Sequence, residues 1–358
     1  MIKKITGLIA AVSLLAACSH DISTICSQPF TDIDGRHINA HGGAVVQFGD
    51  TYYWYGENRP DGSPGSSQQG VACYTSPDLL HWTDRGIVLP VSDTPGAPLE
   101  RGGIIERPKV VFCSTTGKYV MWFHHELKGR GYGAAHAAVA VADDPVGPFT
   151  LLRTGRVNAG VEPLGGISSV ARADTMEWWT PQWREQVEGG MFVRRDLDGG
   201  QMSRDMTIFV DDDGRAYHIY SSEENLTIHV AELDSTYTRH TGRDARVAPG
   251  GHNEAPAVFR HGGRYWMITS GCTGWAPNAA RLMSAENIMG PWTAHGNPCR
   301  GEGADTTYGG QSTWILPLDG GFVFMADIWK PEALATSGHL WLPVLFDSEG
   351  IPYIDNIN

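Results

Sequence analysis

One sequence pattern, here called the phrase, recurs five times along the 358-residue chain, and this repetition constrains the fold more than any other feature. Each copy opens with a polar residue, continues as an apolar stretch, passes a turn rich in Gly or Asp and ends in an aromatic stretch. In the fourth copy, Glu254 opens the phrase, Gly262-Gly263 forms the turn and Tyr265-Trp266 follow it. Runs of β-branched and aromatic residues around a short turn predict a β-hairpin, so the chain is expected to contain five similar hairpins.

The spacing of the copies indicates how the hairpins assemble. Most copies lie about 50 to 65 residues apart, which is the length of one four-stranded propeller blade. Five copies therefore predict an all-β fold, a five-bladed β-propeller. A second aromatic signature, seen at residues 76–82, 144–149 and 287–292, is expected to supply outer strands. A β-sandwich is the alternative, but sandwiches rarely repeat the same order so regularly.

The interval between the second and third copies is longer than the others. It predicts an insertion between blades two and three over residues 153–201, partly helical around residues 181–189. Its three tryptophans, Trp178, Trp179 and Trp183, are expected either to wall a pocket or to pack the insertion onto the propeller.

The N-terminus reads as a targeting signal. A short basic region precedes an apolar run over residues 5–17 that is too short to span a membrane, and Leu15-Ala16-Ala17-Cys18 resembles a bacterial lipobox. We expect a lipoprotein signal peptide over residues 1–17, lipid on the thiol of Cys18, a tether over residues 18–30 and the propeller over residues 31–358. Ser19 favours the outer membrane, with the periplasmic or surface face left open. An ordinary secretory signal is the alternative, and export is expected either way.

Five further cysteines would meet a compartment that permits disulfides. Cys272 and Cys299 flank one hairpin region and are the first pair to test, but free buried thiols are an equal expectation. No C-x-x-C motif occurs, which argues against a zinc site built on cysteines.

The amino-acid composition indicates which classes of molecule the protein binds. The chain has 27 Lys and Arg against 40 Asp and Glu, a net charge of −13, and no basic block, which argues against nucleic acid. A hydrophobic fraction of 41% excludes a disordered chain. The 12 tryptophans favour a carbohydrate partner, because flat apolar rings stack on the C–H faces of sugars. A monomer is expected.

Propeller geometry gathers the residues that open the five copies. The innermost strands of a propeller run in the same direction, so equivalent positions meet at one mouth. These residues are His41, Glu106, Asp205, Glu254 and Gln311. Carboxylates around a concave mouth suit hydrolysis of a glycosidic bond, because burial and a neighbouring carboxylate raise the pKa of a general acid.

Several short segments, each weak alone, resemble glycoside hydrolase family 43 in this order, and most closely its exo-β-1,3-galactanase-like subfamily. The segments are Asn39-Ala40-His41-Gly42-Gly43, Trp54-Tyr55-Gly56-Glu57, Glu106-Arg107-Pro108-Lys109-Val110, Tyr132-Gly133, Ser203-Arg204-Asp205-Met206, Asn253-Glu254-Ala255-Pro256, Thr273-Gly274-Trp275-Ala276-Pro277-Asn278 and Gln311-Ser312-Thr313.

The resemblance implies a role for each opening residue. Glu254 matches the general acid, and Asp205 matches the carboxylate that raises the pKa of the acid and orients it. The family at large has an Asp base in blade one, which this chain lacks; Gln311 would hold the attacking water instead. Glu106 would bind the sugar or polarise that water. The positions that match or lie near substrate contacts are Glu57, Tyr132, Asn225, Thr273 and Trp275.

The resemblance implies an exo-acting hydrolase that releases galactose from β-1,3-galactan, the arabinogalactan backbone, with inversion. An α-L-arabinofuranosidase, a β-xylosidase, a galactofuranosidase and a non-catalytic glycan-binding propeller are the alternatives. An amide is a poor proton acceptor, so the choice between Gln311 and Glu106 for activating water stays open. No cofactor and no catalytic metal are expected. A structural calcium ion in the channel is a further possibility from the resemblance, and His124, His125, His136 and His218 are expected near it.

Overall fold

The structure is a computed structural model that describes residues 21–60, 68–169, 171 and 177–356. The predicted signal peptide and Cys18 lie outside the described residues. Within the described ranges, the strands form five sheets, each antiparallel between consecutive strands, accompanied by three short α-helices.

Each sheet is one blade, and its strands follow each other along the chain. The first blade comprises β1 (His41–Phe48), β2 (Thr51–Asn58), β3 (Gly70–Ser76) and β4 (Thr83–Pro90). The second comprises β5 (Ile104–Cys113), β6 (Lys118–Glu126), β7 (His136–Ala142) and β8 (Thr150–Gly155). The third comprises β9 (Met206–Val210), β10 (Ala216–Ser222), β11 (Thr227–Leu233) and β12 (His240–Val247).

The last two blades complete the ring. The fourth comprises β13 (Asn253–His261), β14 (Arg264–Gly271), β15 (Arg281–Ala285) and β16 (Thr293–Gly296). The fifth comprises β17 (Cys299–Arg300), β18 (Gln311–Leu318), β19 (Gly321–Ile328), β20 (Gly338–Phe346) and β21 (Pro352–Asp355). β17 pairs in parallel with β21 at the outer edge. Short 3₁₀ helices span Ala304–Gly309 and Leu334–Thr336.

The innermost strand of each blade faces the channel, and these five strands, β1, β5, β9, β13 and β18, form the inner ring. β1 contacts β5, β5 contacts β9, β9 contacts β13, β13 contacts β18, and β18 returns to β1. Each first strand is the polar-to-apolar half of one repeated phrase, and each second strand is its aromatic half. The predicted five-bladed β-propeller is confirmed.

The hydrophobic core is divided among the interfaces between neighbouring blades. Successive side chains on a strand point to opposite faces, so each inner strand serves two interfaces. Val110 packs between blades one and two, whereas Val111 packs between blades two and three. Ala257 and Val258 divide in the same way between the two neighbours of blade four. Apolar residues on both faces of each blade therefore hold the ring together.

Two details of the sequence-based expectation are wrong. The second aromatic signature does not form outer strands: residues 76–82, 144–149 and 287–292 largely connect the third strand of a blade to its fourth. Trp82 of this signature is buried between blades five and one. The insertion begins after β8 rather than at Arg153, because residues 153–155 complete blade two.

The insertion contains α2 (Pro181–Glu188), where the sequence indicated helix, and α3 (Met191–Arg195). Thr180 caps α2 by accepting a hydrogen bond from the backbone N–H of Trp183 at 3.2 Å. Trp183 is fully buried against Leu226 of blade three, so the insertion has its own small apolar core on the propeller.

Part of the predicted tether is folded. The helix α1 (Ile22–Cys26) contacts β19 and β20, and Ile25 is buried between blades five and one. The five cysteines in the described ranges are unpaired, so the disulfide considered between Cys272 and Cys299 is absent. No helix in those ranges combines the length and apolar character needed to cross a membrane.

Replacement of Trp54 by Ala tests the closure of the ring. Its indole is 1% exposed, packs against Trp82 and Trp341 at the junction of blades one and five, and donates to the carbonyl of Ala40 at 3.0 Å. Loss of a buried Trp side chain is expected to lower the free energy of unfolding by about 3–5 kcal/mol, measured by urea denaturation. Phe112→Ala, at a 44% exposed ring, should change it by less than about 0.5 kcal/mol. Equal changes would contradict the assigned closure.

Candidate active site

A cavity of about 330 Å³ opens at the end of the propeller where the first strands begin. The four residues predicted to be catalytic all line it, namely Glu106, Asp205, Glu254 and Gln311. Four of the five predicted substrate contacts line it as well, namely Glu57, Tyr132, Asn225 and Trp275. Residues from all five blades thus meet at one place.

Two expected residues do not line the cavity. His41 is buried between blades one and five, where its Nδ1 lies 3.4 Å from Asp327 and its ring stacks on His339. Thr273 is exposed, donates to the carbonyl of Ala276 and supports the loop that carries Trp275. The prediction that His41 meets the other opening residues is therefore wrong.

Irregular strand pairing accompanies the residues that open four of the five copies. In blades one, two, four and five the pairing of the first two strands shifts register close to the opening residue, between His41 and Ala44, Glu106 and Lys109, Glu254 and Ala257, and Ser312 and Trp314. An extra residue at a bulge bends the strand and redirects its side chains. At Gly43 a Cβ would lie 1.7 Å from the carbonyl oxygen of Tyr55, so this close approach requires glycine.

Glu254 has the properties of a general acid. Burial, together with the negative charge of Asp205, raises its pKa to about 8, although the nearby Arg107 opposes the shift. Its Oε1 accepts a hydrogen bond from Gln311 Nε2 at 3.0 Å, and its Oε2 accepts one from Asn225 Nδ2 at 3.4 Å. Glu254 is therefore protonated at neutral pH and held in a defined orientation.

Arg107 is a site residue that the sequence analysis did not single out. Its Nη2 lies 2.9 Å from Asp205 Oδ2 and donates to Gln311 Oε1 at 2.6 Å, while its Nη1 donates to the carbonyl of Ser312 at 3.0 Å. The surrounding carboxylates, led by Asp205, keep this buried side chain charged and raise its pKa despite burial. The available signal was an Arg next to Glu106 at the start of an otherwise apolar strand.

Gln311 is fully hydrogen-bonded by protein groups. Its Oε1 accepts from Arg107 and from the indole of Trp329 at 2.8 Å, and its Nε2 donates to Glu254 and to Ser270 Oγ at 3.0 Å. Because Arg and Trp side chains only donate, they determine which end of the amide faces them. Both lone pairs of the amide oxygen are therefore occupied in this arrangement.

Comparisons with known proteins identify the family. The model of glycosyl hydrolases family 43 matches residues 168–325. A GH43 β-1,3-galactosidase, solved with galactodeoxynojirimycin, is 55% identical over 91% of this chain and 96% of that chain, with a TM-score of 0.87. The chain belongs to glycoside hydrolase family 43.

Two further structures of this family are more distant in sequence. An exo-β-1,3-galactanase from Clostridium thermocellum is 34% identical over 92% of this chain and 64% of that chain, with a TM-score of 0.73. An exo-β-1,3-galactanase from Phanerochaete chrysosporium, solved with galactose, is 33% identical over 90% of this chain, with a TM-score of 0.72. The chain spans 64% of the length of each of these two proteins. No curated protein sequence matches it.

Glu106 of this glycoside hydrolase is held ionised. Burial alone would raise its pKa, but a hydrogen bond with His124 at 3.1 Å, the charge of Arg59 and a hydrogen bond from Tyr132 at 2.7 Å lower it overall. His124 also bonds to Glu126 at 2.9 Å, and this pairing raises the pKa of the imidazole despite burial. Glu106 is thus an anion supported by a chain of donors.

Glu57, unlike Glu106, has a pKa above its ordinary value. Its Oε2 accepts from Arg59 Nη2 at 2.8 Å and its Oε1 from the backbone N–H of Arg107 at 3.3 Å, yet burial raises its pKa to about 7. The site therefore contains carboxyl groups held in different protonation states, which acid–base chemistry requires.

A left-handed turn positions Asn225. Glu223, Glu224 and Asn225 follow β10 with φ values of 52°, 58° and 63°, a conformation that L-residues adopt only when their surroundings impose it. The fully buried Glu223 anchors the turn through Arg246 Nε at 2.6 Å and His229 Nε2 at 2.9 Å. Arg246 also donates to carbonyls at the end of α2, so the insertion and the turn beside Glu254 are joined.

Two groups of side chains in the described ranges come within metal-binding distance of each other: His37, His41 and His339, and Glu106, His124 and Asp205. Neither arrangement fits a cation. The rings of His41 and His339 stack with an interplanar angle of 18°, so their in-plane lone pairs do not converge. His124 pairs with a carboxylate at each nitrogen and is protonated. The calcium ion considered from the resemblance remains a prediction.

Asp205→Asn tests the electrostatic control of Glu254. Removing the neighbouring negative charge makes ionised Glu254 less unfavourable, so its pKa should fall from about 8 by roughly one unit or more. Glu254 then loses its proton at lower pH, so the alkaline limb of the pH profile of kcat/KM is expected to move to lower pH. Asp212→Asn, at an exposed turn, is the control. An unmoved alkaline limb in Asp205→Asn would show that another group controls it.

Glu223→Gln tests the anchoring of the turn. The substitution removes the charge that Arg246 and His229 share, while keeping the size of the side chain. Removing one partner of a buried ion pair is expected to reduce the free energy of unfolding by about 3–5 kcal/mol, measured by urea denaturation. Glu224→Gln, at the partly exposed neighbour, should change it by less than about 1 kcal/mol. Equal stability of both variants would contradict the anchoring role.

Proposed function

We propose that this glycoside hydrolase is an exo-acting enzyme that releases galactose from β-1,3-galactan with inversion of the anomeric carbon. The observation that carries the proposal is the position of Glu254 in the cavity, where burial and Asp205 raise its pKa to about 8. The similarity to a β-1,3-galactosidase that is 55% identical over 91% of this chain supports the substrate class. A variant of the Phanerochaete chrysosporium exo-β-1,3-galactanase was solved with β-1,3-galactotriose, which supports this substrate class.

In the proposed reaction, Glu254 gives its proton to the glycosidic oxygen as the bond from that oxygen to the anomeric carbon breaks. The electron pair of the bond leaves with the protonated oxygen, and Glu254 becomes a carboxylate. The amide N–H groups of Gln311 and Asn225 already face this carboxyl group, so they stabilise the charge that forms on it. Asp205 keeps the acid protonated before the reaction.

Water completes the reaction from the other face of the sugar. Its oxygen forms the new bond to the anomeric carbon and its proton passes to a base. The amide oxygen of Gln311 already accepts two hydrogen bonds, and an amide is a weak base, so Gln311 would have to exchange a partner to hold the water. Glu106 is an ionised carboxylate in the same cavity. Its hydrogen bonds with His124 and Tyr132 lower its pKa, but a carboxylate is still a stronger base than a neutral amide, so Glu106 is the proton acceptor in this proposal. Gln311 orients Glu254 and carries the link to Arg107.

The cavity suits an end of a sugar chain better than its middle. Its volume of about 330 Å³ is at the small end of ligand pockets, which measure about 300–1,000 Å³. Glu57 and Tyr132 offer polar groups for hydroxyls, and Trp275 and Trp329, whose centroids are 5.2 Å apart, form an apolar wall. We assign Glu57, Tyr132, Asn225 and Trp275 to substrate binding. The chemistry needs no cofactor besides water.

The proposal includes the cellular context. A lipid on Cys18 would hold an exported monomer at the outer membrane, within reach of a polysaccharide that cannot enter the cell. Residues 21–30 pack on the fold, so only residues 18–20 would separate the lipid from the propeller. Labelling with a radioactive fatty acid, in the natural chain and in Cys18→Ala, tests this assignment.

The substrate is tested by product analysis. Incubation with β-1,3-galactobiose should release galactose. With β-1,3-galactotriose, whose first cleavage frees galactose only from the non-reducing end, NMR recorded early in the reaction should show the α-anomer of galactose first, because inversion of a β-linkage gives it. Nitrophenyl α-L-arabinofuranoside and nitrophenyl β-xyloside should react at least about 10²-fold more slowly. Glu254→Gln should reduce turnover of the disaccharide by about 10²–10⁴-fold. Faster turnover of either pentoside, or the β-anomer appearing first, would contradict the proposal.

Azide separates the two candidates for water activation. Azide needs no base to attack, so it should restore turnover to an alanine variant that lacks the proton acceptor and should yield the α-galactosyl azide. We expect this rescue with a nitrophenyl β-galactoside in Glu106→Ala and not in Gln311→Ala. The reverse pattern would assign the base to Gln311.

A further inference from the structure

Two exposed tryptophans lie together on the insertion. Trp178 and Trp179, here called the aromatic shelf, leave 43% and 59% of their surface exposed. Both rings pack on the buried Trp183, with centroid distances of 5.3 Å and 4.8 Å. Large exposed apolar groups that lie side by side mark interaction sites more often than single ones do. Neither residue lines the cavity.

The shelf is held in place by its surroundings. Trp183 lies in α2 and packs in a small core with Phe192 and Leu226. Trp179 has a φ of 68°, a left-handed conformation that is unfavourable by about 1–2 kcal/mol for an L-residue. Such conformations persist where the structure imposes them, and they cluster at ligand sites. The two indoles are therefore presented to solvent on a rigid support.

The shelf adjoins the rim of the cavity on the side of the general acid. The ring of Trp179 lies 5.5 Å from that of His252. His252 precedes Glu254 by two residues, so at most about 7 Å of chain separates their Cα atoms. The backbone N–H of His252 also donates to the carbonyl of Leu226, and Leu226 follows Asn225, which lines the cavity.

The position of Glu254 determines which part of the substrate lies at this rim. A general acid contacts the oxygen of the leaving group, so the leaving part of the substrate must extend from the side of the cavity where Glu254 lies. For an enzyme that removes a terminal sugar, the leaving part is the remainder of the polysaccharide. Indole rings stack on the C–H faces of pyranose units, as the shelf could do with no further rearrangement.

We infer that Trp178 and Trp179 form a carbohydrate-binding site outside the catalytic cavity, which holds the polysaccharide chain beyond the cleaved bond. The inference rests on the proposed function, since it takes Glu254 as the acid. It adds a site for units remote from the reaction, through which the enzyme favours long substrates over short ones. The shelf contacts no atom of the terminal sugar.

The test compares substrates of different length in the double variant Trp178→Ala with Trp179→Ala. The kcat/KM for a long β-1,3-galactan should fall about tenfold, because two stacking contacts are lost. The kcat/KM for nitrophenyl β-galactoside, which ends before the shelf, should change by less than about twofold. Replacement of both residues by Phe should keep most of the activity on the polymer. Phe112→Ala removes an equally exposed ring at the far end of β5 and is the control.

Equal losses on the polymer and on the nitrophenyl substrate would overturn the inference, because they would show a structural role. Undiminished activity on the polymer would overturn it as well. If the unmodified enzyme cleaves no galactoside, the proposed function fails separately. The shelf is then judged by electrophoresis through gels containing β-1,3-galactan, arabinan or xylan. Retardation of the unmodified protein that is lost in the double Ala variant supports the site, and equal mobility in all gels overturns it.

Discussion

Five strands begin at one mouth and bring several ionisable groups into a small volume. The buried positive charge of Arg107 offsets the repulsion between the carboxylates there. Carboxylates confined together in a cavity of low polarity repel each other strongly. Arg107 pairs with Asp205 and, through Gln311, is connected to Glu254. Burial and Asp205 raise the pKa of Glu254 although Arg107 opposes the shift, whereas the partners of Glu106 lower its pKa. The proposed chemistry depends on this distribution of charge more than on any single side chain.

The scaffold supports this arrangement at two levels. Alternation along the inner strands fastens each blade to both neighbours, which makes the ring rigid. The register shift after Glu106 and the left-handed turn at Glu223 depart from regular geometry beside the mouth. The charged anchor of that turn also holds α2, so the insertion and the acid belong to one connected unit. Rigid support with local irregularity is what a preorganised site requires.

Much of the fold could be predicted because its signals are local and repeated. The hairpins, their turns and the five opening residues follow from the order of residue types along the chain. The structural role of the aromatic signature was predicted wrongly because aromatic residues are usually found in strands. Trp82 instead lies in the loop between β3 and β4 and packs into the core from there. His41 was misplaced because its partners, Asp327 and His339, lie in another blade and are distant in sequence. Arg107 was overlooked because its significance lies in a partner 204 residues away.

The sequence by itself determined the propeller, its number of blades and the meeting of carboxyl groups at the mouth, because a repeated alternation of polar and apolar residues admits few other architectures. Only the tertiary structure decided the protonation of each carboxyl group. The pKa of Glu254 depends on burial and on distances to Asp205 and Arg107, which lie in other blades. The location of the aromatic shelf was also decided there, because the contact between Trp179 and His252 joins residues distant in sequence. Charges and contacts across blades act through space, and the linear order of residues does not contain those distances.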